Sequence, residues 1–220
     1  MGEPFIQWSE GFSCGIRAID SDHRMLFEVL NNLDVAVRSD DPEHDIGGVI
    51  ELLKRYVVEH FAREERFMAD SNYPDYAAHA REHRRIAEIV QAIGFAYEVA
   101  PDSLDFDKIL NFLSEWLMGH ILGTDRKYIP YVKGEVGEQD DGTGSAKPKA
   151  LRKARTVQYT LPAHKADMLD VCARALESGD ERARELEQVS RELAAHYPTD
   201  RIAAVAKDFL KDGAELPALD

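Results

Sequence analysis

Through the first 133 residues, apolar side chains return every three or four positions in four long segments, the spacing of a helix that buries one face. The first segment runs from about Asp20 to Arg38, with Leu26, Leu30, Leu33 and Val37 on one stripe, and stops at Ser39-Asp40-Asp41-Pro42. The second runs from about Glu43 to Ala69 and is broken by Ser71-Asn72-Tyr73-Pro74. Pro74 suits a first helical turn, so the third begins there and continues to about Val99, ahead of Ala100-Pro101-Asp102-Ser103. The fourth starts near Leu104 and reaches about Tyr131. Short connections make consecutive helices antiparallel, so residues 1–133 are expected to form an all-α, up-down-up-down four-helix bundle.

The pattern lapses from Gly134 to Lys149, a stretch of Gly, Ser, Pro and acidic residues in which Val136 is the large apolar exception; residues 134–149 read as a linker. Residues 150–220 are expected to be a small helical module. A basic stretch from Lys147 to Arg155 and a short β-like run from Thr156 to Thr160 lead into three amphipathic helices, about Ala163 to Glu177, Glu181 to His196 and Asp200 to Leu210. Their inward positions would be Leu169, Cys172 and Leu176, then Leu186, Val189 and Leu193, then Ile202, Val205 and Phe209.

Composition narrows the function. The 220 residues are 44% hydrophobic and 31% charged, a globular balance. With 27 basic and 41 acidic side chains the formal net charge is -14, which repels nucleic-acid backbones and anionic membrane surfaces, so neither is an expected partner. No apolar run approaches the about 18 residues of a membrane span and the first residues lack a signal-peptide pattern, which leads to the expectation of a soluble, cytoplasmic protein. Cys14 and Cys172 stand far apart and read as reduced thiols.

The chemistry lies in the histidines. His60 and Glu64 on the second helix, and His79 and His83 on the third, are four residues apart and so share a helix face. His120 and Asp125 on the fourth are five apart, about 140° around an ideal helix; a one-residue bulge near Gly119 and Gly123 would bring them together. The first helix adds His23. Four helices thus contribute five histidines and two carboxylates, which would be costly to bury without a metal. Nitrogen ligands with carboxylates suit iron, zinc or copper, and seven groups are too many for one tetrahedral ion, so two metals are the natural count.

These residues resemble those of the hemerythrin family, of the single-domain bacterial oxygen-binding type. The resemblance spans about residues 5–131: Ile6-Gln7-Trp8, Gly15 through His23, His60-Phe61-Ala62-Arg63-Glu64 and on to Met68, Tyr73-Pro74 with His79 and His83, and Trp116-Leu117-Met118-Gly119-His120-Ile121 with Asp125 through Tyr128. It implies a non-haem di-iron centre, two iron ions with an oxo or hydroxo bridge, that binds O2 reversibly. By position, His79, His83 and His120 would hold one iron, His23 and His60 the other, and Glu64 and Asp125 would bridge them. Leu26, Phe61, Trp116, Leu117 and Ile121 match the positions that line the family's O2 pocket.

The expected function is therefore oxygen delivery, storage or sensing by a binding protein rather than an enzyme. The alternative is a di-iron enzyme or sensor acting on nitric oxide or peroxide, or an iron-handling protein. The tail module departs from the minimal family pattern; it is the candidate surface for a protein partner or self-association, and tilts the reading toward sensing. Asp22 stands where the family often has Gln; it could add an acid beside the ligands near His23 or cap the first helix, and capping is the favoured expectation. Glu65 and Arg66 are expected to be a surface pair, and His44, His164 and His196 to be structural or solvated.

Overall fold

A computed structural model of the protein describes residues 3–39, 44–136 and 198–217. Helices α1 (Arg17–Arg38), α2 (Ile46–Asp70), α3 (Tyr76–Val99) and α4 (Phe106–Gly119) are followed by a π-helical turn, His120–Asp125, and by α5 (Arg126–Val132), which together continue the fourth rod. α1 packs against α2 and α4, and α2 against α3, so the rods form an antiparallel four-helix bundle. Three of the four predicted stripe positions on α1 are buried, Leu26, Leu30 and Leu33; Val37 is half-buried and Ala36 takes its place in the core.

Helix ends differ from those the periodicity predicts, for local reasons. α1 starts at Arg17, ahead of Asp20, because the Asp20 carboxylate reaches back to the Cys14 backbone N–H at 2.7 Å and the Ser13 hydroxyl at 2.7 Å, fastening the preceding turn to the helix. Burial alone would raise the pKa of Asp20, but these hydrogen bonds outweigh it and hold the carboxyl below its ordinary value. α3 starts at Tyr76 rather than Pro74: Asn72 adopts φ 53° and Tyr73 N–H bonds the Met68 carbonyl, so Pro74 belongs to the turn. α4 starts at Phe106, with Asp105 as its cap, accepting from Lys108 N–H at 3.0 Å. These shifts move ends and leave the faces unchanged.

Below the polar interior, Cys14, Ile19, Met68, Tyr73, Tyr128 and Ile129 form an apolar floor. Cys14 is a free thiol there, and burial pushes its pKa up to about 12. Among the described residues no helix is long and apolar enough to cross a membrane.

Of the tail, Cys172, His164, His196, the β-like run and the first two predicted helices lie outside the described residues. The third is inside: α6 (Thr199–Ala206) with a 3-10 turn at Lys207–Phe209. Ile202 and Phe209 are buried and Val205 is half-buried; α6 packs along α3, and the 3-10 turn against α4.

Candidate metal centre

All seven predicted ligand residues sit inside one end of the bundle, each no more than 4% exposed. The i,i+4 spacing does on α2 and α3 what helix geometry requires, setting His60 beside Glu64 and His79 beside His83. The five-residue spacing of His120 and Asp125 is accommodated by the π-helical turn, which begins at the first and ends at the second. Asp125 Oδ1 thereby comes within 3.0 Å of His120 Nε2 and 3.2 Å of His79 Nε2, while its Oδ2 lies 3.4 Å from His23 Nε2. Glu64 is placed equivalently on the other side: Oε2 is 3.2 Å from His83 Nε2 and 3.5 Å from His60 Nε2, and Oε1 is 3.8 Å from His23 Nε2.

Two ligand clusters result, one of Glu64, His79, His83, His120 and Asp125, the other of His23, His60 and Glu64. Glu64 belongs to both, and Asp125 reaches from the first to His23 of the second.

The rest of the arrangement was not visible as a site in the sequence. Tyr128, three residues beyond Asp125, donates its hydroxyl proton to Glu64 Oε1 at 2.7 Å. Glu65 is turned inward, contrary to the expectation of a surface pair with Arg66: its Oε1 lies 3.1 Å from His83 Nδ1. The reason is that α2 and α3 are neighbours and Glu65 lies at their seam, which the spacing within α2 does not report. Asp22 is likewise not a cap, since α1 begins five residues earlier; its carboxylate pairs with Arg63 and lies 3.7 Å from His60 Nδ1. Glu82, held by the Thr124 hydroxyl at 3.0 Å, lies 3.7 Å from His120 Nδ1. His44 stands apart from the site with Ser39.

These partners decide whether the donors fit a cation. A carboxylate at the Nδ1 of His83 places that ring's proton there and leaves a lone pair at Nε2. The Nε2 atoms of His79 and His83 each come within 3.2 Å of His120 Nε2, so basic nitrogens converge on one point. Glu64 Oε2, both oxygens of Asp125 and His23 Nε2 are buried without a hydrogen bond. Buried lone pairs facing one another are costly unless a cation lies among them, so the set fits metal binding.

The titration shifts agree. Burial would raise the pKa of Glu64, but the charge of His60 and the adjacent His83 ring pull it below the usual carboxylate range despite the opposing charge of Asp125. Burial would also raise Asp125, yet the rings of His120, His23 and His79 hold it well below that range. For His83 burial lowers the pKa and Glu64 and Glu65 more than restore it, so the net shift is upward. Burial, with the charge of Glu64 next, keeps Tyr128 a neutral donor at any working pH.

Beside this polar cluster lies a wholly apolar cavity of about 30 Å³. Leu26, Phe61, Trp116 and Leu117 of the predicted O2 pocket line it; Ile121 is buried in the π-helical turn and does not. Phe61 also stacks on His83 with centroids 4.0 Å apart, and Trp116 on His120 at 4.4 Å, so two of the residues that line the cavity also touch site imidazoles. Its lining offers a water none of the polar partners that would hold it in place.

Tyr128→Phe is expected to leave Glu64 Oε1 without its donor and to weaken metal affinity about 10–100-fold, the usual effect of removing a group that orients a ligand. Competition with a chelator of known affinity measures it, and unchanged affinity would mean that Glu64 is positioned without the phenol.

Comparison with known proteins follows the same residues. Residues 14–132 match the family described as hemerythrin HHE cation binding domain. A bacteriohemerythrin of Stenotrophomonas maltophilia is 34% identical over 133 residues, covering 60% of this chain and 85% of that protein. One from Pseudomonas aeruginosa is 30% identical over 151 residues, covering 67% and 96%. A myohemerythrin of Theromyzon tessulatum is 31% identical, covering 57% and 92%. The crystal structure of a wild-type hemerythrin superposes with a TM-score of 0.53 at 28% identity, over 58% of this chain and 98% of that one.

Proposed function

The chain belongs to the hemerythrin family, and we propose that it binds O2 reversibly at a non-haem di-iron centre, in a sensing role that delivery or storage would not require. The carrying observation is the junction of a histidine-rich donor set with a dry apolar cavity, joined through Phe61 and Trp116. His79, His83 and His120 would hold one iron and His23 and His60 the other, with Glu64 and Asp125 as ligands to both; a three-and-two division of the imidazoles would leave one iron a ligand short and open to a small molecule. Two ferrous ions held in this way would supply the redox chemistry for reversible O2 binding.

The protein's own contribution is to orient and to exclude. Glu65 fixes the His83 ring through Nδ1, and Tyr128 fixes the Glu64 carboxylate and offers a proton held in place at 2.7 Å. Leu26, Phe61, Trp116 and Leu117 keep water out of the approach, which suppresses proton-driven, irreversible oxidation. The preference for binding over catalysis rests on the donor set, since bundles that activate O2 use carboxylate-rich sets with Glu-x-x-His pairs.

A visible absorption band should appear when O2 is admitted to the anaerobically reduced, iron-loaded chain and vanish when O2 is removed. A site that passes directly to the oxidised spectrum would overturn reversible binding and favour nitric oxide or peroxide chemistry. The sensing role predicts a cellular response to O2 that disappears when residues 137–197 are deleted; an unaltered response would return the role to storage or delivery.

A further inference from the structure

From Ile86 to Ala96, α3 carries just two polar side chains, Glu88 and Gln91, and both are buried at 6% exposure. A helix of a solvated four-helix bundle should show a polar outer stripe, so this stretch is covered by something beyond the four rods. The cover is α6 and the turn after it. Arg201 forks onto the Glu88 carboxylate, Nη2 donating to Oε2 at 2.8 Å and Nε to Oε1. Further along, Phe209 packs edge-on against Phe112 of α4 with centroids 5.2 Å apart. Backbone bonds then clip the segment to the start of the fourth rod, Asp105 N–H to the Phe209 carbonyl and Lys211 N–H to the Ser103 carbonyl, each 2.9 Å.

The position of this cover has a consequence for the cavity. Ile86 and Val90 line the cavity from α3, and Glu88 lies about 200° around the helix from Ile86, on the opposite side. The same turn of α3 therefore touches the ligand cavity with one face and the tail segment with the other. α3 and α4 are also the neighbouring rods whose backbones approach each other least closely, and the tail segment contacts both.

We propose that residues 199–211 are a strap across the α3–α4 seam that limits how fast small ligands enter the cavity and reach the metal centre. With the strap docked, α3 is held against the cavity. With the strap released, the buried Glu88 carboxylate gains water, α3 loosens and the seam opens. Residues 137–197 link α5 to the strap in sequence, so a pull on them acts on the strap. The identity of the physiological ligand rests on the oxygen-binding reading; the strap does not.

The test compares the full, iron-loaded chain with an Arg201→Gln/Phe209→Ala double variant, neither residue being part of the site. The probe is azide, a small anion that ligates oxidised iron, followed by stopped-flow absorption, with amide hydrogen exchange read over residues 86–96. Azide association is expected to accelerate at least tenfold, and exchange over 86–96 to rise at least tenfold. Faster exchange with azide association unchanged overturns gating, and no change in either overturns the strap itself. Should the double variant fail to fold, Glu88→Gln removes the ion pair without leaving a buried charge; it should move both readouts in the same direction by a smaller factor, and no movement overturns the proposal. If wild-type chain shows no reversible oxygen band yet azide entry still responds to strap release, the oxygen reading fails and the strap stands.

Discussion

Asp125→Ala is expected to lower the iron content of the reconstituted full chain from two ions to one or none and to erase the oxygen-dependent band. Its carboxylate reaches both histidine groups: Oδ1 is 3.0 Å from His120 Nε2 and 3.2 Å from His79 Nε2, and Oδ2 is 3.4 Å from His23 Nε2. Groups that merely orient a ligand alter metal affinity about 10–100-fold, so loss of a bridging ligand should exceed the upper figure. The cavity left by the missing carboxylate is small and the surrounding rods are unaffected, so helical content by circular dichroism should persist. Elemental analysis and the visible spectrum decide the matter together. Two irons per chain with the band intact would show that Glu64 alone suffices as the bridge.

Stripping the metal from the wild-type chain is the second large effect. A metal present at about a thousand times its dissociation constant stabilises the folded state by roughly 4 kcal/mol. For a chain of this size each kcal/mol moves the melting temperature about 2–4 °C, so the metal-free protein should melt on the order of 10 °C lower. Scanning calorimetry before and after chelation measures it, and equal melting temperatures would sink the claim that the buried donors need a cation. The metal-free chain should also acquire a pH optimum. Glu64 and Asp125 have depressed folded-state pKa values, so what they contribute is present above the ordinary carboxylate range and is lost as pH falls through the depressed values. His83 is shifted upward, so its contribution is present below the ordinary histidine value and is lost as pH rises through the raised one. Without metal the protein should therefore be most stable in mildly acidic solution.

How much of this was legible beforehand follows from which distances the chain itself sets. Leu26, Leu30 and Leu33 on α1 and the His60–Glu64 and His79–His83 pairs depend only on the helical repeat, and they stand where the repeat puts them. The five-residue interval from His120 to Asp125 was readable as a demand for a wider turn, because an ideal helix would have pointed the two apart. An added Cβ at Gly119 or Gly123 would meet nothing within 4 Å, so steric need does not place those glycines in that turn. Glycine's weak helix preference makes the widening less costly.

The groups that orient the ligands belong to a different kind of information. Glu65 faces His83 across 18 residues, Tyr128 reaches Glu64 across 64, and Arg63 pairs with Asp22 across 41. No period connects such pairs; they meet because neighbouring rods settle at one register. Glu65 read as a surface residue for that reason, and Asp22 as a cap because the Asp20 turn, which lengthens α1, depends on contacts that precede the helix.

By itself, then, the sequence determined the four rods, the faces they bury and the seven side chains offered to a metal, since helical geometry turns spacing directly into direction. Only the tertiary structure decided which carboxylate holds which imidazole and where the dry cavity meets the site. It also decided that the α3 stretch from Ile86 to Ala96 is covered by residues more than 100 positions away. An apolar stripe specifies that it will be buried and not by what, because burial is non-directional and the partner is whatever surface the rest of the chain brings to it.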